Sequence, residues 1–205
     1  DRAVKNMDST LGNNLDVINR SVNRAREFID NLLNLSRMPG VTQNEETVQV
    51  RDIIDQLLIL FYKELEWRDI QLVRQYHTIP SVYLDRNALQ ECLFNIIIHA
   101  IQSMDQGGTL TVIIEPLEEG FCISVRDTGC GISEEKLEKR FVQFYTTKKN
   151  GQGTGLGLSI AQSLTRDLGG DIHVESAVGE GSTFSILFPC LRTVPLLTTA
   201  SQLSQ

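Results

Sequence analysis

The first forty residues carry one long run of regularly spaced apolar positions. Between residues 11 and 32 these positions recur at steps of four and three, the heptad spacing of a helix that packs against other helices. Pro39 and Gly40 end the pattern sharply. The pattern predicts a helix over 9–38, within a segment 1–40, that needs partner helices from a second copy of the chain or from sequence upstream. The seam consists of Leu11, Leu15, Ile18, Val22, Ala25, Ile29 and Leu32.

From residue 41 onward, shorter helical and alternating patterns follow one another. Apolar residues at helical spacing predict helices within 48–65, after one or two strand residues at Val48, over 87–103 and over 157–168. Asp85 is suited to cap the second of these helices. Alternating apolar residues predict strands between them, with a hairpin turn at 117–120. This order predicts a two-layer α/β sandwich over 41–192, a mixed sheet with helices on one face, and then a tail or linker at 193–205. The predicted strands are 70–75, 82–84, 109–116, 120–127, 171–176 and 183–189.

Composition and charge narrow the function classes. The chain has 205 residues, 41% of them hydrophobic, and a net charge of −7, which opposes general nucleic-acid binding. Its four cysteines form no CxxC pair, so we expect reduced thiols and neither a zinc site nor a disulfide scaffold. No signal peptide or bilayer-length apolar run is visible. We expect a cytoplasmic protein, and because the chain starts with Asp1, a piece of a longer one whose parent is open to membrane anchoring.

A glycine run at 151–157 is the strongest candidate for chemistry. Gly151, Gly153, Gly155 and Gly157 alternate with other residues and lead directly into the predicted helix 157–168. Glycine lets a backbone approach a ligand closely, and a helix N-terminus attracts anions such as phosphate. The alternative interpretation is a flexible surface loop before an ordinary helix.

Two polar groups elsewhere suit the same ligand. Asp127 ends a predicted strand and opens the turn Asp127-Thr-Gly-Cys-Gly131, where a carboxylate can accept a hydrogen bond from the amino group of adenine. Asn95 and His99 are four residues apart, on one face of a predicted helix, and can reach a metal bound to phosphates. The alternatives are an ordinary aspartate turn, an asparagine that caps a loop and an interior histidine.

Two further segments complete the arrangement. Residues 141–148, Phe-Val-Gln-Phe-Tyr-Thr-Thr-Lys, place aromatic residues ahead of a polar end that can face phosphates. Residues 179–184, Gly-Glu-Gly-Ser-Thr-Phe, form a turn into the last strand. Each is unspecific alone, because core aromatics at a helix end and a glycine turn are common.

In this order and at these distances, the segments resemble the N, G1, F and G2 boxes of sensor histidine kinases. These belong to the Bergerat ATP-binding superfamily, which also contains type II topoisomerases, Hsp90 and mismatch-repair ATPases. The resemblance covers residues 48–190, and residues 9–38 resemble the second helix of the dimerisation and phosphotransfer bundle. The ending Phe-Tyr-Thr-Thr-Lys resembles the subgroup that contains nitrogen-regulation and sporulation kinases.

The resemblance implies a role for each matched residue. Asp127 would bind the adenine amino group, Gly129 and Gly131 would shape the pocket, and Thr183 would support the adenine end through water. Lys148 and the backbone of 153–158 would hold the phosphates of ATP, with 149–154 as a closing lid, and Mg²⁺ would bridge the phosphates. The implied ATP-binding set is Asn95, His99, Asp127, Gly129, Gly131, Ile132, Phe144, Thr147, Lys148, Gly153, Gly155, Leu156, Gly157, Leu158 and Thr183, with Asn95 and His99 as metal ligands.

The chain departs from the family pattern at two important places. His99 stands where the family has a metal-binding asparagine, and an imidazole nitrogen is a poorer partner for Mg²⁺ than an amide oxygen. None of His77, His99 and His173 lies in the pattern of the phosphoacceptor helix. Gln143 and Val142 also replace the proline and the acidic residue of the F box, which bears on docking of the lid.

The sequence therefore predicts the ATP-binding part of a protein-histidine kinase of a two-component system. The whole protein would phosphorylate a histidine outside this chain and transfer the group to an aspartate of a response-regulator receiver domain, as a homodimer through the N-terminal helix. The alternative is a catalytically impaired pseudokinase or docking module that binds nucleotide weakly and signals through helix pairing. A clamp-type ATPase is disfavoured by the heptad helix and short lid, and a serine/threonine kinase of the anti-sigma type does not need that helix.

Overall fold

The computed structural model describes residues 45–146 and 155–189. The predicted helix at 9–38, the segment 147–154 and the predicted tail at 193–205 lie outside the described residues. The elements follow the predicted order, with one additional short helix at Glu134–Leu137, and the strand residues expected near Val48 belong to a strand that begins at Glu45. They are β1 (Glu45–Val48), α1 (Val50–Trp67), β2 (Ile70–Tyr76), β3 (Val82–Asp85), α2 (Arg86–Gln102), β4 (Gly108–Leu117), β5 (Gly120–Asp127), α3 (Glu134–Leu137), α4 (Gly157–Asp167), β6 (Asp171–Ala177) and β7 (Gly181–Pro189).

The main sheet has five strands in the order β2-β4-β5-β7-β6. Strand β2 runs parallel to β4, and every other neighbouring pair is antiparallel, so the sheet is mixed as predicted. Strands β1 and β3 form a separate antiparallel pair, with Glu45 opposite Asp85. Because β5 lies in the middle of the sheet, the side chain that ends it at Asp127 is surrounded on both sides.

Helices cover one face of this sheet. On β4, Leu110, Val112 and Ile114 are buried while the residues between them are partly exposed. One hydrophobic cluster joins these residues to apolar side chains of α1, α2 and α4. On the other face, the hydroxyls of Ser124 and Ser185 form a hydrogen bond of 2.9 Å. The alternation confirms the predicted two-layer α/β sandwich. No helix among the described residues is long and apolar enough to cross a bilayer.

Helix α2 lies at the centre of the helical layer and carries part of the candidate site. It begins as predicted, because the carboxylate of Asp85 accepts a hydrogen bond of 3.0 Å from the backbone N–H of Ala88, worth about 1 kcal/mol. Its Cys92 is buried against α4, with Sγ at 3.2 Å from Oγ1 of Thr165. Burial raises the pKa of the Cys92 thiol to about 12, so this thiol packs as an apolar group. These contacts fix α2 and α4 relative to each other.

Candidate functional site

Asp127 is the most deeply buried carboxylate of the described chain, with 0% of its surface exposed. Its Oδ1 accepts two hydrogen bonds, from the Ser103 hydroxyl at 2.8 Å and from the Gly129 N–H at 2.9 Å. Its Oδ2 is buried and accepts no hydrogen bond from the residues at 45–146 and 155–189. Since buried polar atoms are nearly always satisfied, this oxygen is an acceptor suited to a ligand.

The ionisation of Asp127 reflects the same surroundings. Burial raises the pKa of this carboxyl above its ordinary value, because removal from water penalises the charged form. The hydrogen bonds from Ser103 and Gly129, together with the nearby backbone N–H of Ser182, oppose that rise by favouring the carboxylate. A donor from a ligand at Oδ2 would act in the same direction as these groups and would stabilise the charge further.

The turn after Asp127 brings its backbone against neighbouring chain segments. A Cβ atom on Gly129 would overlap the hydroxyl of Ser103, and one on Gly131 would overlap the carbonyl oxygen of Ala177. Gly131 also has a φ of +67°, which L-amino acids with side chains rarely adopt. The two glycines therefore allow the turn to pass beside the Asp127 carboxylate and leave open space next to it.

That space is a cavity of about 510 Å³. Its volume falls within the range of small-molecule sites. The predicted residues His99, Gly129, Gly131 and Ile132 lie in its wall, so the structure brings them together around one space. A purine fits the chemistry, because the adenine amino group is a donor and Oδ2 of Asp127 is an acceptor. The wall consists of His99, Gln102, Ser103, Met104, Asp105, Gln106, Gly107, Thr128, Gly129, Cys130, Gly131, Ile132 and Ser182.

His99 is built into this wall from helix α2. Its ring stands edge-on to the ring of Phe184, a fully buried residue of β7, with the centroids 5.2 Å apart and the planes at 68°. Such a T-shaped aromatic contact contributes about 0.5–1.5 kcal/mol beyond burial. His99 therefore combines two features that the sequence left as alternatives, a packed ring and a position in the cavity wall.

Asn95 lies on helix α2, one turn before His99, and its side chain is close to the first residue of α4. Its Nδ2 donates a hydrogen bond of 3.0 Å to the backbone oxygen of Glu91. Its Oδ1 is so close to Gly157 that a Cβ atom there would lie at 3.1 Å from it. Asn95 thus presents its amide oxygen to Gly157, the first residue of α4. Of the two predicted metal ligands, His99 lines the cavity and Asn95 does not.

The end of the glycine run nearest to α4 is fixed by a contact between Gly155 and Phe144. The N–H of Phe144 donates to the carbonyl oxygen of Gly155 at 2.9 Å, and both residues have a positive φ, of 64° and 68°. Leu156 is fully buried and acts as the N-cap residue of α4, although it supplies no capping side chain. Leu158 packs partly buried against the core. The predicted phosphate contacts at Thr147, Lys148 and Gly153 lie outside the described residues.

The neighbour of Asp127 on β7 differs from the residue that the sequence suggested. The predicted Thr183 lies opposite Arg126 in the β5–β7 pairing, whereas Ser182 lies opposite Asp127 and lines the cavity. Because side chains alternate along a strand, Thr183 points to the other face of the sheet. The sequence also gave no prediction for Ser103. The only sequence signal for Ser103 is a polar residue just after the end of α2. For Ser182 the signal is stronger, because pairing the motif Gly-x-Gly-Ser with the end of β5 would have selected it.

The domain matches a known family model. Residues 84–192 match the model of the histidine kinase-, DNA gyrase B- and HSP90-like ATPases, which is more than half of the chain. The chain belongs to this family. The matched range contains the buried carboxylate, the glycine turn and the cavity, so the family assignment and the site geometry concern the same residues.

Relatives within the family are sensor kinases. The sensor histidine kinase ZraS of Escherichia coli K12 is 32% identical over 174 residues, which cover 84% of this chain and 37% of the relative. Sporulation kinase E of Bacillus subtilis 168 is 33% identical over 178 residues, 85% of this chain and 23% of the relative. The chain is a histidine kinase ATP-binding catalytic domain at the family level, and it spans about a quarter to two fifths of the length of these relatives.

Solved structures show the same fold. The catalytic domain of histidine kinase ThkA has a TM-score of 0.64 and 28% identity, and the match covers 74% of this chain and 97% of that one. Full-length ShkA, in complex with AMPPNP, has a TM-score of 0.73 and 22% identity, with 82% and 36% covered. These matches confirm the predicted α/β fold of the catalytic domain and the family resemblance, while the predicted helix at 9–38 lies outside the described residues.

Proposed function

We propose that this domain binds ATP with adenine in the cavity beside Asp127 and the phosphates toward the glycine run before α4. The observation that carries the proposal is the buried Oδ2 of Asp127, which has no hydrogen-bond partner among the described residues. The adenine amino group would donate to it, Ser182 would support that end of the ligand, and Gly129 and Gly131 would leave room for the ring. Lys148 and the backbone of 153–158 would hold the phosphates.

A divalent ion would accompany the phosphates, and the donor set suits it in part. Among the described residues no group of three or more histidine, cysteine or acidic side chains could hold a metal by itself, so such an ion would take most ligands from phosphate and water. The amide oxygen of Asn95 suits Mg²⁺, whereas the imidazole of His99 suits Mn²⁺ or Zn²⁺ better. A bound cation would neutralise the charge of the transferred phosphoryl group.

The reaction that we propose is histidine phosphorylation. The acceptor histidine would lie outside this chain, because His77, His99 and His173 are followed by Thr, Ala and Val rather than by an acidic residue. The phosphoryl group would then pass to an aspartate of a receiver domain, and residues 9–38 would form the homodimer. The parent protein would be a longer sensor kinase with this domain in the cytoplasm, since the relatives are two to four times longer.

Calorimetric titration of the chain with ATP and ADP in the presence of Mg²⁺ tests the binding step. We expect saturable binding to the wild type and to Asp171→Asn, a change at an exposed carboxylate on the edge strand β6. Asp127→Asn should bind much more weakly. Equal affinity of the two variants would refute the assignment of the adenine site.

A second candidate function is supported by His99. Its ring packs into the cavity wall at the position where the family has a metal-binding asparagine, and an imidazole is a poorer partner for Mg²⁺ than an amide oxygen. His99 therefore favours a pseudokinase that binds nucleotide weakly and signals through helix pairing. Titration of wild type and His99→Asn with Mg²⁺–ATP and Mn²⁺–ATP separates the candidates. Equal Mg²⁺–ATP affinity of the two proteins would remove the main argument for a pseudokinase, and a large gain in the variant would support it.

A further inference from the structure

Cys130 is an exposed thiol in the wall of the nucleotide cavity. It lies three residues after Asp127, between the two glycines of the turn, and it has no disulfide partner. Its backbone is held on both sides, because its N–H donates to the carbonyl oxygen of Ser103 at 3.1 Å and its own carbonyl accepts from the N–H of Gly179 at 2.9 Å. A group attached to Cys130 is therefore anchored beside the cavity and cannot move away with the backbone.

An independent indication of a ligand lies directly behind the same wall, at Asp127. Asp127 is fully buried, its Oδ2 lacks a partner among the described residues, and the donors to its Oδ1 belong to cavity-lining residues, Ser103 and Gly129. Since Ser103 and Gly129 line the cavity that Cys130 also borders, a ligand that reaches this carboxylate would occupy that space. The cavity of about 510 Å³ is sized for one such ligand, so a bulky adduct on Cys130 and an adenine ring would compete for the same volume.

We propose that Cys130 is a modification site at which a low-molecular-weight disulfide, such as glutathione disulfide, forms a mixed disulfide that excludes the nucleotide. The inference rests on the proposed ATP-binding function. In the reaction, the Cys130 thiol loses its proton to solvent and the thiolate attacks one sulfur of the reagent. The reagent S–S bond breaks, a new S–S bond joins Cys130 to one half, and the other half leaves as a thiolate that is protonated by water. An added thiol reverses the exchange.

The other described cysteines are poor competitors for this reaction. Cys92 is completely buried and its pKa is raised to about 12 by burial, so almost no thiolate exists at neutral pH. Cys122 is also buried, on β5, with Sγ at 3.5 Å from the hydroxyl of Ser124. Cys190 lies outside the described residues and is best removed by Cys190→Ser. In that background Cys130 is the single exposed thiol of the described residues.

The experiment uses the full 205-residue chain carrying Cys190→Ser. ADP affinity with Mg²⁺ is measured first on the reduced protein, and then glutathione disulfide is added and the modified residue is located by peptide mass spectrometry. We expect an adduct on Cys130, a loss of ADP affinity of at least about tenfold, and recovery after reduction. With ADP at about ten times its Kd, modification should slow about tenfold, because only the free fraction of protein reacts.

Two variants control for an effect of modification in general. Cys130→Ser should show the same ADP affinity before and after treatment with the disulfide. Cys130→Ser combined with Glu118→Cys moves the thiol to the exposed turn between β4 and β5. This turn precedes the first residue of β5, whereas Asp127 is its last residue, so an adduct there should leave the ADP affinity unchanged. A thermal melt of the modified protein shows whether the fold is retained.

The outcomes separate the inference from the function on which it rests. If the reduced protein fails to bind ADP, the proposed function is wrong and the inference falls with it. If the reduced protein binds ADP but the Cys130 adduct neither weakens binding nor is slowed by ADP, only the inference is wrong. It is equally wrong if the thiol introduced by Glu118→Cys reacts and Cys130 does not, or if the adduct acts by unfolding the domain.

Discussion

Replacement of Asp127 by asparagine perturbs the proposed adenine site with almost no change in shape. In the wild type, Oδ1 accepts hydrogen bonds from Ser103 and Gly129 at 2.8 and 2.9 Å. The asparagine side chain of the variant can keep both bonds only if its amide oxygen takes the Oδ1 position. Its NH₂ group then replaces Oδ2, so a donor faces the adenine amino group where an acceptor is needed.

The expected loss follows from the strength of one charge-assisted hydrogen bond. Such a bond contributes about 1.5–3 kcal/mol, which corresponds to a loss of ADP affinity of roughly 10-fold to 150-fold. A nucleotide with an oxygen at the same ring position, inosine diphosphate, offers an acceptor to the new NH₂ group. The variant should therefore lose less affinity for inosine diphosphate than for ADP, and the ratio of the two dissociation constants should shift toward inosine diphosphate.

Titration calorimetry with both nucleotides measures this ratio in the wild type, Asp127→Asn and the surface control Asp171→Asn. A general loss of both nucleotides in Asp127→Asn would indicate damage to the fold rather than removal of one acceptor. Unchanged ADP affinity, with the variant folded, would refute the reasoning, because the adenine amino group would then have no need of Oδ2.

The same substitution has a stability signature that depends on pH. Burial raises the pKa of Asp127 in the folded protein above its ordinary value of 3.8, so the folded state holds the proton more tightly than the unfolded state. The resulting stabilisation is fully present below pH 3.8 and is lost as the pH rises through the raised pKa. Urea unfolding of the nucleotide-free proteins should therefore show the wild type losing stability relative to Asp127→Asn over this interval. A constant difference across it would contradict the shift.

Three further changes test other parts of the site. Gly131→Ala should lower the free energy of unfolding by urea by at least about 2 kcal/mol, because Gly131 has a positive φ and a Cβ there would overlap Ala177. Gly179→Ala should lower it by only about 1 kcal/mol, because Gly179 has a positive φ but nothing lies within 4 Å of a Cβ there. Equal losses in the two variants would rule out the overlap at Gly131. His99→Asn should tighten Mg²⁺–ATP more than Mn²⁺–ATP in calorimetry, and an unchanged metal preference would count against a ligand role. Cys92 should resist iodoacetamide in the native protein at about pH 8, since a thiol with a pKa of about 12 is ionised in only about one molecule in ten thousand; rapid labelling seen by mass spectrometry would show that α2 and α4 separate.

Much of the fold follows from local pattern alone. Helix α2 and strands β4 and β5 have apolar spacings of about 3.6 and 2 and clear ends, such as Asp85 before the helix, so their type and bounds could be predicted within one or two residues. Asp127 and the glycines after it could be predicted as site residues for a similar reason. A carboxylate and a glycine turn at a strand end are adjacent in sequence, and the fold brings them to the cavity without rearrangement.

The remaining features depend on contacts between distant segments. Ser103 reaches Asp127 across 24 residues, and Ser182 is its neighbour only through the register of β5 with β7. A shift of that register by one residue would place Thr183 there instead, which explains why the sequence alone did not distinguish the two positions. The pairing of β1 with β3 likewise joins segments on either side of α1 and β2, and no local pattern indicates it.

The balance of hydrogen bonds around Asp127 separates a ligand site from a structural turn. A carboxylate retained only to hold the turn would be expected to have both oxygens satisfied, since an unpaired buried acceptor costs about 1–3 kcal/mol. Here Oδ1 receives both Ser103 and Gly129, and the backbone N–H of Ser182 lies nearby, while Oδ2 accepts no hydrogen bond of normal geometry among the described residues. Gly181 also has no Cβ atom that would overlap the backbone carbonyl oxygen of Asp127, so β7 can pair closely with the end of β5 at this point. The site is therefore less stable without a donor than the turn alone requires, and that difference in free energy is available to a ligand that supplies one.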